Sequence, residues 1–320
     1  MKDKYIVGIG AANVDIYGKS NIKIREHFDH PSIIKTTVGG VTRNILENAS
    51  KLGLKTVLLT AVGDDIYGSM VINESKKSKI DVSHVAVIKS ERTGAFMQVQ
   101  DANNDMHLAL CDMSISKNIN VDYIKSKNSI IKNSSAIVLD PSLDNKVIEY
   151  LLNTYNSIPF FVDPISDLYA KKIKPYLSKI YCIKPNKSEL SQLSGIIIND
   201  SSSLKKAYDK VNKKVMALFV SLGKDGCLYK NELGEVRKKR LKHIKNMANA
   251  SGAGDAMMAA ILYSYINEFD LDKTIDYALS AGSAAVIDEN TINPKMSVKL
   301  LLKILKETSY EKSTQNWLNS

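Results

Sequence analysis

The segment that decides the fold is "NASGAGDAMMAA", residues 249–260. Within it, Gly252 and Gly254 flank Ala253, and Asp255 follows where a strongly apolar run begins. The run predicts a buried helix whose first N–H groups have no partner inside the helix. With the helix dipole, these groups form a site for an anion such as a phosphoryl group in transit. A carboxylate there also stabilises any helix start, so Asp255 is either a charge that interacts with the dipole or a catalytic base.

Short apolar runs alternate with helical patterns along most of the chain. The runs are continuous, which is typical of strands that are buried on both faces of a sheet. The predicted strands are 5–16, 55–63, 134–140, 158–165, 179–185 and 217–223. The predicted helices are 42–53, 67–78, 145–156, 187–194, 203–214, 253–268, 271–288 and 297–307. The alternation predicts one α/β domain over residues 1–310 with a mostly parallel sheet, followed by a loose tail over 311–320.

Two stretches interrupt this alternation. Residues 16–38 and 92–111 have the pattern of short strands with polar gaps, and the second contains an "ANND" turn. Insertions at the strand ends of an open α/β sheet commonly cover the ligand crevice. We therefore predict a small β lid.

The overall composition is ordinary for a globular protein, with 320 residues, 44% of them hydrophobic. No stretch approaches the ~20 apolar residues of a membrane span, and the N-terminus lacks a signal-peptide pattern. Cys111, Cys182 and Cys227 are widely spaced and odd in number, without the spacing of metal ligands, as in proteins of a reducing compartment. We expect a cytoplasmic protein that contacts no membrane.

The formal net charge of +10 raises the question of a nucleic-acid partner. The densest basic cluster is "RKKRLKHIK" at 237–245, and it contains no interleaved aromatic residues. A basic patch alone is only a footprint of nucleic-acid binding. We expect lysines on solvated helix faces and no nucleic-acid partner.

Polar groups and glycines occur near the N-terminus where a ligand site is expected. Asn13 and Asp15 end the first predicted strand, at the edge where an open parallel sheet presents ligands. The motif "VGGVTRN" places Gly39 and Gly40 before a helix and Asn44 one turn into it.

Two further strands end in similar motifs. "IKPNKSEL" places Asn186 and Glu189 three residues apart at a helix start, and "VSLGKDG" contains Ser221, Gly223 and Gly226. Each motif taken alone also fits ordinary turn glycines, an N-cap asparagine or a first-turn glutamate. The chain contains no "GxxxxGK[ST]" loop, so a phosphate site would have to be of another kind.

The order of these motifs resembles the ribokinase-like, or phosphofructokinase-B, family of carbohydrate kinases. The resemblance extends from about residue 5 to residue 305, and "GAGDAMMAA" is its most specific element. It implies an α/β fold: a Rossmann-type sandwich with a mostly parallel central sheet and a small β lid. It also implies an enzyme that uses ATP and Mg²⁺, and lids that pair to form a homodimer.

The resemblance assigns roles to the motif residues. Asp255 would be the general base, and Gly252, Ala253 and Gly254 would form the anion hole. Asn186 and Glu189 would organise Mg²⁺. The nucleotide site would comprise Asn186, Ser221, Gly223, Gly226 and Ser251, and the substrate site would comprise Asn13, Asp15, Gly39, Gly40 and Asn44.

Within the family, five stretches resemble the members that phosphorylate the nucleoside pseudouridine: "GGVTRN", "CDMSIS", "FVDPIS", "LSGI" and "ENTINP". Asp112 of "CDMSIS" would contact the base, or it is an ordinary turn aspartate. "ENTINP", residues 289–294, stands where the family often binds K⁺, although Asn249 replaces a frequent aspartate near that loop. The alternatives are a related kinase for ribose, fructose or adenosine, and a non-catalytic protein that binds nucleotides or nucleic acid.

Overall fold

The computed structural model describes residues 4–102, 105–230, 234–241, 251–308 and 310–311. The strands are β1 (Tyr5–Ile9), β2 (Asn13–Ser20), β3 (Ser32–Gly39), β4 (Lys55–Leu59), β5 (Ala61–Gly63), β6 (Ile80–Asp81), β7 (Ala86–Ile88), β8 (Ala95–Gln100), β9 (Met106–Asp112), β10 (Ala136–Leu139), β11 (Phe160–Val162), β12 (Cys182–Ile183), β13 (Ala217–Leu218), β14 (Val220–Ser221), β15 (Cys227–Lys230), β16 (Val236–Leu241) and β17 (Tyr310–Glu311).

Each of the eight predicted helices is present with similar bounds, and three shorter helices, Val121–Ser126, Asn128–Lys132 and Asp167–Ile173, were not predicted. The helices are α1 (Val41–Lys51), α2 (Ile66–Lys77), α3 (Val121–Ser126), α4 (Asn128–Lys132), α5 (Asn145–Thr154), α6 (Asp167–Ile173), α7 (Lys187–Ser194), α8 (Ser201–Asn212), α9 (Ala253–Ile266), α10 (Leu271–Val286) and α11 (Val298–Glu307). Short 3₁₀ segments lie at Ser114–Asn118, Lys174–Lys179 and Gly223–Asp225.

A seven-stranded sheet in the order β13-β12-β11-β10-β1-β4-β6 forms the centre, and all its strand pairs are parallel. Successive strand residues face opposite sides: Ile137 packs in the cluster with α5 and α8, and Val138 in the cluster with α1, α9 and α10. Helices therefore cover both faces, which confirms the predicted sandwich.

The predicted strand 5–16 is instead two strands in different sheets. β1 belongs to the central sheet and β2 to a second sheet, with a turn between them. The backbone leaves the central sheet after Gly10, where a Cβ atom would lie 2.4 Å from Asp140 Cβ, and Ala11 N donates to Asp140 Oδ2 at 3.0 Å. The prediction of one strand was wrong because an unbroken apolar run does not reveal where a strand changes sheets.

The chain order reverses between β1 and β10. From this point β4 and β6 extend to one side, while β11, β12 and β13 extend to the other. In open α/β sheets, ligands bind at the carboxyl ends of the strands beside such a reversal. The end of β1 and the start of β2 lie at this crevice.

The two predicted lid segments pair with each other in a four-stranded sheet of order β3-β2-β8-β9. β2 pairs with β3 antiparallel and with β8 parallel, and β8 pairs with β9 antiparallel. β2 begins only three residues after Gly10, so the lid adjoins the crevice. The division into a domain over 1–310 and a loose tail stays a prediction, since 312–320 lie outside the described residues.

The described part of the basic cluster is β16, and acidic residues of α10 lie against it. Arg237 Nη1 is 3.6 Å from Asp272 Oδ2, and Lys239 forms an ion pair with Asp276. These pairs neutralise part of the positive charge, as expected for a folded surface strand. Among the described residues, no helix is both long and apolar enough to cross a membrane.

Candidate active site

α9 begins directly after the glycine expected from the sequence, and the role of its N-terminus as an anion site stays a prediction. Gly252 precedes the helix with φ of 79°, a left-handed conformation that favours glycine. A Cβ atom there would lie 2.0 Å from Thr291 O, so the 289–294 loop also requires glycine at this position. Among the described residues no side chain caps α9, so its first N–H groups are left for a ligand.

Asp255 lies in the first turn of α9 and is buried, with 8% of its surface exposed. Asn44 Nδ2 donates a hydrogen bond to Asp255 Oδ2 at 3.0 Å. Burial and the nearby negative charge of Asp163 raise the pKa of Asp255 to about 7, against the opposing effects of the Asn44 bond, Lys184 and Arg43. The carboxylate form, which accepts a proton, therefore predominates above about pH 7 and is lost below it.

A buried ion pair lies beside this helix start. Lys184 Nζ is 2.8 Å from Asp163 Oδ2, and both side chains are almost inaccessible to solvent. A Cβ atom on Gly254 would lie 3.2 Å from Lys184 Nζ, so the ammonium group reaches the first turn of α9. The site therefore contains a cation where a phosphoryl group would meet the helix.

Asp163 and Lys184 were not among the residues predicted from the sequence. Each directly follows a strand, Asp163 after β11 and Lys184 after β12, and these strands are neighbours in the sheet. A polar residue at the carboxyl end of each of two buried strands is the signal that would have identified them.

The start of β2 and the end of β3 form the predicted substrate side. Asp15 is buried, and it accepts hydrogen bonds from Asn13 Nδ2 at 2.7 Å and from Tyr17 Oη at 3.4 Å. A Cβ atom on Gly39 would lie 2.2 Å from Asp15 Oδ2, and one on Gly40 would lie 2.5 Å from Ala11 O. Both glycines are therefore required for the close approach of β2, β3 and the first turn.

Burial raises the pKa of Asp15, whereas Asn13, Tyr17 and the charge of Arg43 act to lower it. Each carboxylate oxygen accepts one hydrogen bond in this arrangement, which leaves lone pairs for a ligand. The predicted substrate residues Asn13, Asp15, Gly39 and Gly40 are thus adjacent. Asn44 lies at their border, bonded to Asp255.

Several predicted nucleotide-site residues line one cleft. Asn186, Ser221 and Gly223 contribute to a cleft of about 610 Å³ that is also lined by residues of α8 and β16. Asn186 and Ser221 are partners in an isolated parallel β-bridge, so their two backbone segments lie side by side. Gly226 closes the following turn with φ of 90°, where a Cβ atom would lie 2.0 Å from Lys239 O. The cleft has the size expected for a small-molecule ligand.

Asn186 and Glu189 form a capping box at the start of α7. Glu189 N donates to Asn186 Oδ1 at 2.9 Å, and Asn186 N donates to Glu189 Oε2 at 2.8 Å. Burial, together with the charge of Asp163, raises the pKa of Glu189 to about 7. Capping uses the single side-chain oxygen of Asn186 and one of the two oxygens of Glu189, so the other Glu189 oxygen remains for a metal and the prediction of a metal role stays open.

Two further predicted residues are exposed in the structure. Asp112 ends β9 in an exposed position and accepts a hydrogen bond from Ser114 N at 3.0 Å, which lowers its pKa. Ser251 is exposed just before α9. The ordinary role of Asp112 as a turn residue is therefore present, whatever further contact it makes with a ligand.

These groups place a buried carboxylate, a cation and a helix N-terminus that no described side chain caps at the carboxyl ends of a parallel sheet, next to the lid sheet. Phosphoryl transfer needs positioning and charge stabilisation of this kind, and the class of protein so defined is an α/β kinase. Residues 3–298 match the pfkB family carbohydrate kinases, and the chain belongs to that family. It is accordingly a phosphotransferase with an alcohol acceptor.

Comparisons with individual proteins agree with membership of this kinase family. The chain is 32% identical over 95% of its length to the pseudouridine kinase of Escherichia coli, of which it covers 98%. Its fold is similar to that of the ribokinase of Arabidopsis thaliana solved with ribose and ATP, with a TM-score of 0.80 and 20% identity, covering 95% of this chain and 99% of that one. An Escherichia coli structure solved with ATP and Mg²⁺ gives a TM-score of 0.80 at 17% identity, with the same coverage. The two structural likenesses establish the ribokinase-like fold.

Proposed function

We propose that this kinase transfers the γ-phosphoryl group of ATP to the 5′-hydroxyl of pseudouridine. The observation that carries the transfer step is the buried Asp255 in the first turn of α9, which no described side chain caps, with Lys184 at the same turn. The choice of pseudouridine is supported by the similarity to the Escherichia coli pseudouridine kinase across almost the whole chain. Phosphate transfer from ATP, measured across nucleosides and sugars, tests the proposal.

The reaction follows from this placement. Asp255 would accept the proton of the 5′-hydroxyl while the hydroxyl oxygen forms a bond to the γ-phosphorus of ATP. The bond between that phosphorus and the oxygen that bridges it to the β-phosphate breaks, and ADP leaves. The N–H groups at Gly252, Ala253 and Gly254 and the ammonium of Lys184 stabilise the charge on the phosphoryl oxygens in transit. Closure of the lid excludes water, which would otherwise compete as the acceptor.

The nucleotide would occupy the cleft lined by Asn186, Ser221 and Gly223. Gly226 ends the turn that follows Gly223, and Ser251 directly precedes Gly252 at the start of α9. In the described part of the chain no three His, Cys, Asp or Glu side chains are grouped as a metal site. This fits Mg²⁺, which is usually held by one or two carboxylates together with substrate phosphates and water. Glu189, with Asn186 beside it, would hold the ion, which would neutralise charge on the β- and γ-phosphates.

Glu189→Gln is expected to raise the Mg²⁺ concentration required for half-maximal activity while leaving the affinity for the nucleoside nearly unchanged. The glutamine oxygen still accepts the hydrogen bond from Asn186 N, so the capping box is retained and only the charge is lost. Mg²⁺ titrations at saturating ATP, with the exposed Glu149→Gln as control, provide the measurement. An unchanged titration curve would assign Glu189 to capping alone.

The protein is expected to prefer pseudouridine over uridine by about tenfold or more. Pseudouridine has an N1–H donor beside the glycosidic carbon and uridine has none, so a lid carbonyl that the nucleoside buries would remain unpaired with uridine, at a cost of about 1–3 kcal/mol. Asp112 is exposed in the structure and would act as such an acceptor only where lid closure brings it against the base. The two nucleosides have equal mass, so the product ratio from an equimolar competition is read by chromatography. Asp112→Asn, which retains an acceptor oxygen, serves as the matched variant.

Equal phosphorylation of the two nucleosides would contradict the choice of pseudouridine. Faster turnover of ribose, fructose or adenosine would favour another substrate for the same fold. Absence of ATP turnover with any of them would favour a non-catalytic nucleotide-binding protein.

We also propose a homodimer that forms through the lid. Ile34, Leu108 and Leu110 are each more than half exposed. In the strand register they lie on the face of the lid opposite Asp15. Apolar surface of this kind is typical of protein contacts, and a second copy of the chain would cover it without closing the crevice.

Two further proposals concern ions and location. K⁺ would bind at the 289–294 loop, whose Thr291 carbonyl packs against Gly252; Asn249, which bears on this prediction, lies outside the described residues. A cytoplasmic location is supported by the cysteines, which are all free thiols.

A further inference from the structure

Arg43 is a buried arginine beside the candidate base, and neither the motifs nor the family resemblance assigned it a role. It lies in the first turn of α1 with 3% of its surface exposed. Nη1 donates to Val38 O at 3.1 Å and to Asn44 Oδ1 at 2.8 Å, and Nη2 forms an ion pair with Glu47. The guanidinium therefore ties the end of β3 to two side chains of α1.

The contact with Asn44 determines how that amide is oriented. A guanidinium only donates hydrogen bonds, so the oxygen of the Asn44 amide must face Arg43. The amide nitrogen then faces Asp255, to which it donates at 3.0 Å. A continuous chain of contacts runs from Glu47 through Arg43 and Asn44 to Asp255.

We propose that Arg43 is a positioning residue that fixes the amide of Asn44 and, through that amide and its own charge, keeps Asp255 oriented and ready to accept a proton. The inference rests on the proposed role of Asp255 as the base. Arg43 would act only through Asn44 and through its charge, without contacting the nucleoside or ATP.

The surrounding charges support this assignment. Around Asp255 they are Asp163 after β11, Lys184 after β12 and Arg43 on α1. Burial and Asp163 raise the pKa of Asp255, while the bond from Asn44 and the two cations lower it. Arg43 is in turn influenced by three carboxylates: Glu47 on its own helix, Asp15 on β2 and Glu74 on α2. The amount by which Arg43 lowers the pKa of Asp255 therefore depends on how far Glu47 neutralises the guanidinium.

This balance predicts shifts of opposite sign in two variants. Arg43→Gln removes the cation, so the acid limb of the kcat–pH profile should move to higher pH. Glu47→Gln leaves Arg43 less neutralised, so the limb should move down. Arg43→Lys should keep the limb near its wild-type position but lower kcat, because one ammonium cannot replace the forked contacts of a guanidinium.

Lys51→Gln is the matched control. Lys51 is a cation on the same helix, 3.7 Å from Glu47 Oε1, and it lies about 12 Å further along the helix axis from Arg43. Its removal should move the profile far less than Arg43→Gln, because Lys51 reaches Asp255 only indirectly, through Glu47 and Arg43. As a readout independent of turnover, the ¹³C resonance of the Asp255 carboxyl, assigned by its loss in Asp255→Asn, should titrate with the same shifts.

The outcomes separate this inference from the proposed function. Opposite shifts in Arg43→Gln and Glu47→Gln support it, and the Glu47 variant alone still decides if Arg43→Gln does not fold. The role of Arg43 would be overturned if neither the acid limb of the kcat–pH profile nor the titration midpoint of the Asp255 carboxyl moved in either variant. The assignment of Asp255 as the base would then still stand. If Asp255→Asn retains wild-type activity, the base assignment fails, and the carboxyl titration still shows whether Arg43 acts on Asp255.

Discussion

Asp255→Asn is expected to lower kcat by at least ~10²-fold, the low end of the contribution of general-base catalysis, while the fold and ATP binding are retained. The substituted amide keeps the size of the side chain and still meets the α9 dipole, but it cannot accept the proton of the acceptor hydroxyl. The wild-type protein should also lose activity as the pH falls below about 7, because protonation then removes the working form of the buried carboxylate. Steady-state turnover and a nucleotide-binding isotherm on the same preparations provide the measurements.

Asp272→Asn is the matched control for this variant, because Asp272 is also an acidic residue in the first turn of a long helix, α10. Its loss should affect stability slightly and turnover hardly at all, as for an ordinary charge at a helix N-terminus. Should Asp255→Asn turn over within a few-fold of the wild-type protein, Asp255 would belong to the same class as Asp272. The question raised by the motif "GAGD" would then be answered in favour of the helix dipole.

The sequence predicted what depends on local pattern. Apolar runs with few polar residues predicted six of the seven strands of the parallel sheet, although 5–16, 55–63 and 217–223 each continue into a strand of another sheet and β6 was not predicted. Helix periodicity with a glycine before Ala253 predicted the helix start that would form the anion site. The resemblance to a family added the order of the motifs. The match over residues 3–298 confirmed that the chain belongs to this family, and the parallel central sheet confirmed the predicted fold.

What could not be predicted depends on which strands become neighbours. Asp163 and Lys184 are 21 positions apart in the sequence, and they meet only because β11 and β12 pair in parallel. Arg43 reaches the base only through the amide of Asn44, because α1 packs against α9. No periodicity encodes such contacts, although polar residues at the carboxyl ends of buried strands would have narrowed the search.

The capping box of Asn186 and Glu189 illustrates a different limit. The spacing of three residues is the signature of reciprocal capping and equally of two groups that face one ligand. The structure contains both capping contacts. The second oxygen of Glu189 then remains for a metal, and the amide NH₂ group of Asn186 remains as a donor to a phosphate. A sequence pattern that serves two purposes cannot distinguish them, and the Mg²⁺ titration of Glu189→Gln is needed.

Asp15→Ala is expected to reduce kcat/KM by ~10²-fold or more, because two or more polar groups of the nucleoside and the protein would be left unpaired in a buried site, at about 1–3 kcal/mol each. Asp15 is the carboxylate at the start of β2, where it adjoins the crevice, and Asn13 and Tyr17 hold its two oxygens in place. Its remaining lone pairs are suited to accept hydrogen bonds from two ribose hydroxyls. Asp29→Ala, which removes an exposed carboxylate from the same lid segment, should have little effect.

The sharper test combines this variant with 2′-deoxy and 3′-deoxy substrates. If Asp15 binds the ribose hydroxyls, each deoxy substrate should lose a similar factor in kcat/KM with the wild-type protein and much less with Asp15→Ala. The two changes would then remove the same contact, and their free energies would fail to add. Loss of stability in the variant would instead lower kcat/KM for all substrates alike. Equal rates for ribo and deoxy substrates with the wild-type protein would mean that Asp15 makes no contact with the ribose, and the assignment of a nucleoside substrate would weaken with it.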